Sequence, residues 1–121
     1  MEFSESRPIY LQVADYCFTC IMTHRWSPGE RMPSVRELAV GLSVNTHTVL
    51  KAIEFLRDMG VVEPRRGLGF FLTDDAPRRV LEAKRQEFFN EVLPDIFHRM
   101  RVLGITPEEI AEAYSRHTGE S

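Results

Sequence analysis

Met32-Pro33-Ser34-Val35-Arg36-Glu37-Leu38-Ala39 runs through Gly41-Leu42-Ser43-Val44 into Asn45-Thr46-His47-Thr48-Val49, and later come Gly60-Val61-Val62 and Arg65-Arg66-Gly67-Leu68-Gly69. Ser34 with Glu37 three residues on is a capping box, so a helix is predicted over residues 34–42 with Leu38 and Leu42 facing inward. Gly41-Leu42-Ser43-Val44 supplies a short turn around Ser43 and Val44, and Asn45 is a good amino-terminal cap for a second helix. In that helix Val49, Ile53 and Leu56 fall at i, i+4 and i+7 and fix the buried face. The opposite face carries Thr46, His47, Leu50, Lys51 and Arg57. Gly60 is placed to end the helix in a left-handed conformation. Residues 61–65 and 69–73 are β-rich runs joined through a glycine-tipped turn, and Pro64, which has no N–H, belongs on the edge side of the pair. Two short helices, a tight turn and a hairpin make a winged helix-turn-helix.

Upstream, Pro8 suits the first turn of a helix predicted over residues 8–24. Ile9, Val13, Cys17, Cys20 and Ile21 fall at helical spacing there, and Leu11, Ala14, Phe18 and Met22 widen the stripe. Ser27-Pro28-Gly29 turns the chain. Downstream, Asp74-Asp75-Ala76-Pro77 reads as a linker into a helix with Phe89, Leu93, Ile96, Met100 and Leu103 along one face, kinked by Pro94. Gly104 ends it, and Thr106-Pro107-Glu108-Glu109 opens a last helix. The expected organisation is mainly α with a small β-hairpin wing: a winged helix-turn-helix over residues 1–75 and a two-helix tail over residues 76–121. Two helices cannot enclose a core of their own, so their apolar faces are expected to be covered by the same faces of a second copy, giving a homodimer through the carboxy-terminal helices.

The 121 residues suffice for one small domain plus an appendage, and 43% apolar with 27% charged residues is ordinary for a globular chain. The acidic start over residues 1–6 is not a secretion signal and no apolar run approaches membrane-spanning length, so a cytoplasmic protein with no membrane association is expected. The net charge of −3 argues weakly against nucleic acid as a partner. The distribution argues otherwise: residues 1–73 are balanced, and the acidic excess lies after them. Within residues 31–66, Arg31, Arg36, Lys51, Arg57, Arg65 and Arg66 outnumber Glu37, Glu54, Asp58 and Glu63. Contact depends on such local charge rather than on the total.

The ordered set of Pro8-Ile9-Tyr10-Leu11-Gln12-Val13, Pro28-Gly29-Glu30-Arg31-Met32-Pro33-Ser34-Val35-Arg36-Glu37-Leu38-Ala39, Ser43-Val44-Asn45, Thr48-Val49 with Lys51-Ala52, and the Gly60 and Gly67 motifs resembles the GntR family of transcriptional regulators. The short helical tail is similar to that of the YtrA subfamily, which lacks a large effector domain and dimerises through the tail. The resemblance implies a homodimer on double-stranded operator DNA with inverted-repeat half-sites, usually acting as a repressor, and leaves room for an unidentified small-molecule effector. Three positions depart from the family pattern. Asn45-Thr46-His47-Thr48 stands where relatives usually read Asn-Pro-Asn-Thr, Phe70 stands where a small polar residue is common, and Leu50 stands where some relatives carry arginine.

The first residues of the second helix of a helix-turn-helix reach base edges, while flanking cations and backbone N–H groups hold phosphates. Thr46, His47 and Thr48 are therefore the groove candidates, with Lys51 one turn on. Ser34 and Arg36 from the preceding helix face the backbone or an adjacent guanine, and Arg65 and Arg66 at the wing tip face the minor groove, with Gly67 permitting the turn. Asn45 joins the set, although capping alone accounts for it, and Arg57 reads as a solvated partner of Glu54 or Asp58. Cys17 and Cys20 lie mid-helix with no strand before them and too few other ligands for zinc, so they read as buried thiols. No catalytic constellation, dinucleotide loop, metal cluster or cofactor site stands out, and the chain is not expected to be an enzyme. The rival readings are a winged helix used as a protein-interaction module without specific DNA binding, and a thiol-based enzyme or sensor built on Cys17 or Cys20.

Overall fold

The computed structural model describes residue 3 and residues 6–119. Most of the acidic start read above, at residues 1, 2, 4 and 5, lies outside the described residues, as do residues 120 and 121. The chain divides into two compact units, Met1–Ala83 and Lys84–Ser121.

In the first unit, α1 (Ile9–Met22) buries Val13, Ala14, Cys17, Phe18, Cys20 and Ile21. Its ends do not follow the predicted stripe, because Ile9 and Met22 are exposed. The capping box is realised at α2 (Val35–Leu42): Glu37 N–H donates to Ser34 Oγ at 3.1 Å, and Ser34 N–H donates to Glu37 Oε1 at 3.2 Å. The turn after α2 uses Ser43, not Gly41, in the left-handed conformation, with Val44 N–H reaching back to the Ala39 carbonyl at 3.0 Å. α3 (Thr46–Asp58) seals Val49, Ala52, Ile53 and Leu56 completely. It ends in a Schellman motif, in which Gly60 adopts φ +77°, Gly60 N–H bonds the Arg57 carbonyl and Val61 N–H bonds that of Leu56. Leu56 and Val61 are both fully buried, which supplies the apolar contact that accompanies the motif.

The wing pairs β1 (Val62–Arg65) antiparallel with β2 (Gly69–Leu72) in the register Val62↔Leu72 to Arg65↔Gly69. A third extended segment, invisible to the hairpin reading, lies along the other edge of β2: Met32 N–H donates to the Phe70 carbonyl and Leu72 N–H to that of Glu30, with Arg31 bridging Phe71. β2 is thus the middle of three, and β1 with Pro64 keeps the outer edge where a missing N–H is harmless.

α4 (Ala76–Glu87) begins at the stretch read as a linker, yet its Ala76 and Val80 are fully buried in the core of the first unit. Asp75 holds this start through ion pairs with Arg79 at 2.8 Å and Arg78 at 3.0 Å.

In the second unit a π-helical turn (Phe88–Val92) precedes α5 (Leu93–Leu103), and α6 (Pro107–Gly119) follows. The distortion expected at Pro94 takes the form of this wider turn: Leu93 N–H donates to the Phe88 carbonyl five residues back, just before the proline that cannot donate at all. Gly104 closes α5, and Thr106 with Glu109 forms a second capping box at α6. None of the described side chains from residue 84 onward is buried, and Phe89, Val92, Phe97, Leu103 and Tyr114 are exposed. No helix of the described residues is long and apolar enough to cross a membrane.

Candidate nucleic-acid interface

All ten residues singled out from the sequence lie in the first unit. At the head of α3, Thr46 and His47 are exposed and Thr48 is half-buried. Asn45 is the cap, its Oδ1 accepting the His47 N–H at 2.7 Å, so capping accounts for this side-chain oxygen. Ser34 is likewise occupied, as the cap of α2, while Arg36 in the first turn of that helix is exposed. Arg57 is exposed and makes no ion pair with Glu54 or Asp58 among the described residues.

Two of the expected DNA-facing cations are steered by aromatic rings. Lys51 Nζ lies 4.3 Å from the centroid of Tyr10, which itself packs edge-on against Phe55 of α3. On the wing, the Arg65 guanidinium sits 4.0 Å over the Phe71 ring and 3.4 Å from Glu63 Oε1. The ring contacts hold a long side chain in place without a counter-charge, whereas Glu63 pairs Arg65 with an exposed carboxylate. Arg66 and Gly67 form the exposed tip, where Gly67 has φ +76° and open space around it. Phe70 is half-buried against the core, so its ring fills the base of the wing.

Arg31 contributes to the local charge surplus, and its sequence context alone assigns it no further role. Its side chain crosses the wing backbone, with Cδ 3.7 Å from where a Gly69 Cβ would stand, and its guanidinium lies 3.7 Å from Glu37 Oε1 in the first turn of α2. It therefore ties the start of α2 to the root of the wing. The signal was the extended Glu30-Arg31-Met32 run next to the capping box, which pairs with β2 only once the chain has folded.

The two thiols stay out of this region. Cys17 is fully buried and Cys20 nearly so, and burial first, then the neighbouring Cys20, pushes the Cys17 thiol up to about 12. A thiol so far from ionisation is a poor nucleophile and a poor sensor. No group of three or more metal-ligating side chains occurs among the described residues.

The family profile described as "Bacterial regulatory proteins, gntR family" matches residues 9–72, which spans α1 through the end of the wing. The chain belongs to the GntR family. It is a DNA-binding transcriptional regulator of the YtrA-like kind, and its GntR relatives are regulators rather than enzymes. It is 35% identical to the HTH-type transcriptional regulator YhcF of Bacillus subtilis over 97% of this chain and 95% of that one. It is 31% identical to the HTH-type transcriptional repressor YtrA of the same organism, over 88% of this chain and 82% of the relative. A GntR-family regulator from Bacteroides thetaiotaomicron superposes with a TM-score of 0.83 at 32% identity, covering 93% of this chain and 97% of its own. The DNA-binding domain of AraR, solved in complex with operator ORR3, matches 60% of this chain and 88% of its own at 27% identity and a TM-score of 0.55.

Proposed function

We propose that this GntR regulator is a homodimeric repressor of the cytoplasm, in which each winged domain occupies one half-site of an inverted-repeat operator and the carboxy-terminal helices from residue 84 onward join the two copies. The observation that carries the reading is the division of α3. Val49, Ala52, Ile53 and Leu56 are sealed in the core while Thr46, His47 and Lys51 remain outside it. A helix held in this way presents its first turn to the major groove. Arg36 and Ser34 at the start of α2 hold the phosphate backbone, and Arg65, Arg66 and Gly67 follow the neighbouring minor groove, with Arg31 at the root of the wing adding charge. Asn45 serves the interface through its cap, and Thr48 borders the groove. The repressor direction is supported by YtrA, whose name carries the word repressor, operator binding by AraR, solved with its operator, and the dimer by the exposed apolar side chains of the tail, Phe89, Phe97 and Leu103 among them.

The test is binding to a labelled fragment of the protein's own promoter region against non-specific competitor, across a range of salt. Competitor-resistant binding whose affinity falls steeply with salt is expected, because neutralising phosphates releases counterions. Arg36→Ala and Lys51→Ala should each weaken it and flatten the salt slope by about one unit, with the dimer unchanged. Absence of binding at low salt would overturn the reading in favour of a protein-interaction module.

A further inference from the structure

One side chain on the outer face of α3 has no part in the contacts described so far. Leu50 is 38% exposed and lies outside the apolar cluster that anchors the helix, although it directly follows the fully buried Val49. With 3.6 residues per turn, it shares a stripe with Thr46 one turn before it and His47 three residues before it. Both neighbours are exposed, so the stripe points away from the core. Lys51 does not cover this spot, since its ammonium group is drawn to the Tyr10 ring at 4.3 Å. The outer face of the first turns of α3 therefore pairs polar Thr46 and His47 with one bare isobutyl group.

We propose that Leu50 is a specificity-determining residue that reads a thymine methyl group in the major groove, an inference that rests on the base-reading role of α3 argued above. Leucine has no donor or acceptor, so it cannot satisfy guanine O6 and N7, adenine N6 and N7, or cytosine N4, and placing it over those edges leaves them without partners. The C5 methyl of thymine is the one apolar feature that a Watson–Crick pair shows in that groove. Thr46 adds its own methyl to the same stripe, and His47 keeps a hydrogen-bonding edge for the adjacent pair. The regulator thus favours an A·T pair under Leu50, with thymine on the strand facing it. Leu50→Arg should move the preference at that pair toward guanine, which offers two acceptors to a guanidinium.

The test starts from duplexes that the full-length protein enriches from a randomised library. In the enriched duplex, each thymine is replaced in turn by deoxyuridine, which removes only the methyl group. We expect one thymine per half-site whose replacement weakens binding by about fourfold, the worth of one buried methyl. The same replacement should have no effect on Leu50→Ala, and Leu50→Met, still apolar, should keep the sensitivity. If the wild-type protein binds its enriched duplex tightly but no deoxyuridine replacement matters, or if the loss persists in Leu50→Ala, the assignment of Leu50 is wrong while base reading by α3 stands. If no sequence is enriched at all, base reading by α3 fails and the role of Leu50 fails with it.

Discussion

Tyr10 controls the placement of Lys51 from a different helix, and no spacing rule joins two such distant positions in the sequence. Ser34, Glu37 and Asn45 are local, by contrast, and their capping bonds were legible from residue type and spacing alone. Removing the ring tests what the contact does. Tyr10→Phe should preserve operator affinity, while Tyr10→Ala should lower it about two- to fivefold, the range for an exposed cation–π contact; equilibrium titration with thermal melts in parallel separates this from loss of the Phe55 packing. Glu37 gives a prediction in pH. The Ser34 N–H first, then the Ser34 hydroxyl and the Arg31 charge, hold its carboxyl below the ordinary value of 4.5. A carboxyl depressed in the folded state contributes stability that is full above the unfolded value and lost as pH falls through the folded one. Melting wild type and Glu37→Gln side by side should therefore show an advantage for the glutamate at neutral pH that shrinks on going below 4.5. An advantage that grows in acid would refute the capping role.

The elements were legible wherever a residue's own backbone chemistry decides them, and hidden wherever a partner does. Gly60 and the edge position of Pro64 belong to the first kind. The pairing of residues 30–32 with β2, and the burial of Ala76 and Val80, belong to the second, because nothing local in Asp74-Asp75-Ala76-Pro77 shows that a core waits beside it. The turn after α2 is a third case. Its place around Ser43 is local and legible, but the left-handed residue is Ser43 itself, at φ +56°, while Gly41 stays helical. Gly60 is where substitution should be costly: an L-residue in the left-handed region loses about 1–2 kcal/mol, and an added Cβ would stand 3.0 Å from the Arg79 guanidinium. Gly60→Ala should thus lower the urea midpoint with its slope unchanged. Pro94 should act in the opposite direction. Restoring an N–H with Pro94→Ala lets the Phe88–Val92 turn close to α-helical spacing, raising the far-UV helical signal. The gain in stability should stay below the ~3 kcal/mol of an unrelieved interior proline, because the wide turn has already absorbed much of that cost.

At the scale of the whole molecule, the two units differ in what they bury. The winged unit closes a core of its own around α1, α3 and the wing, whereas the second unit leaves Phe89, Phe97 and Leu103 exposed, the last at 69%. A band of large apolar groups on a tail with an acidic excess is costly to leave in water and is the kind of surface that marks an interface. Which face meets which could not be read from the sequence, since heptad-like spacing says only that a stripe exists. Its use can be decided by charge. On a lone chain, Phe97→Asp is a surface exchange and should change stability by no more than about 0.5 kcal/mol. In a twofold interface it brings two unpaired carboxylates out of water, a penalty of several kcal/mol per ion, enough to split the dimer. Sedimentation should accordingly show wild type at twice the chain mass of 14.0 kDa and Phe97→Asp at the chain mass, with an unaltered winged domain by circular dichroism. The variant should still bind an isolated half-site but lose the gain that linking two half-sites provides, because the second contact is then no longer intramolecular. A Phe97→Asp protein that remains dimeric would place the subunit contact elsewhere on the chain.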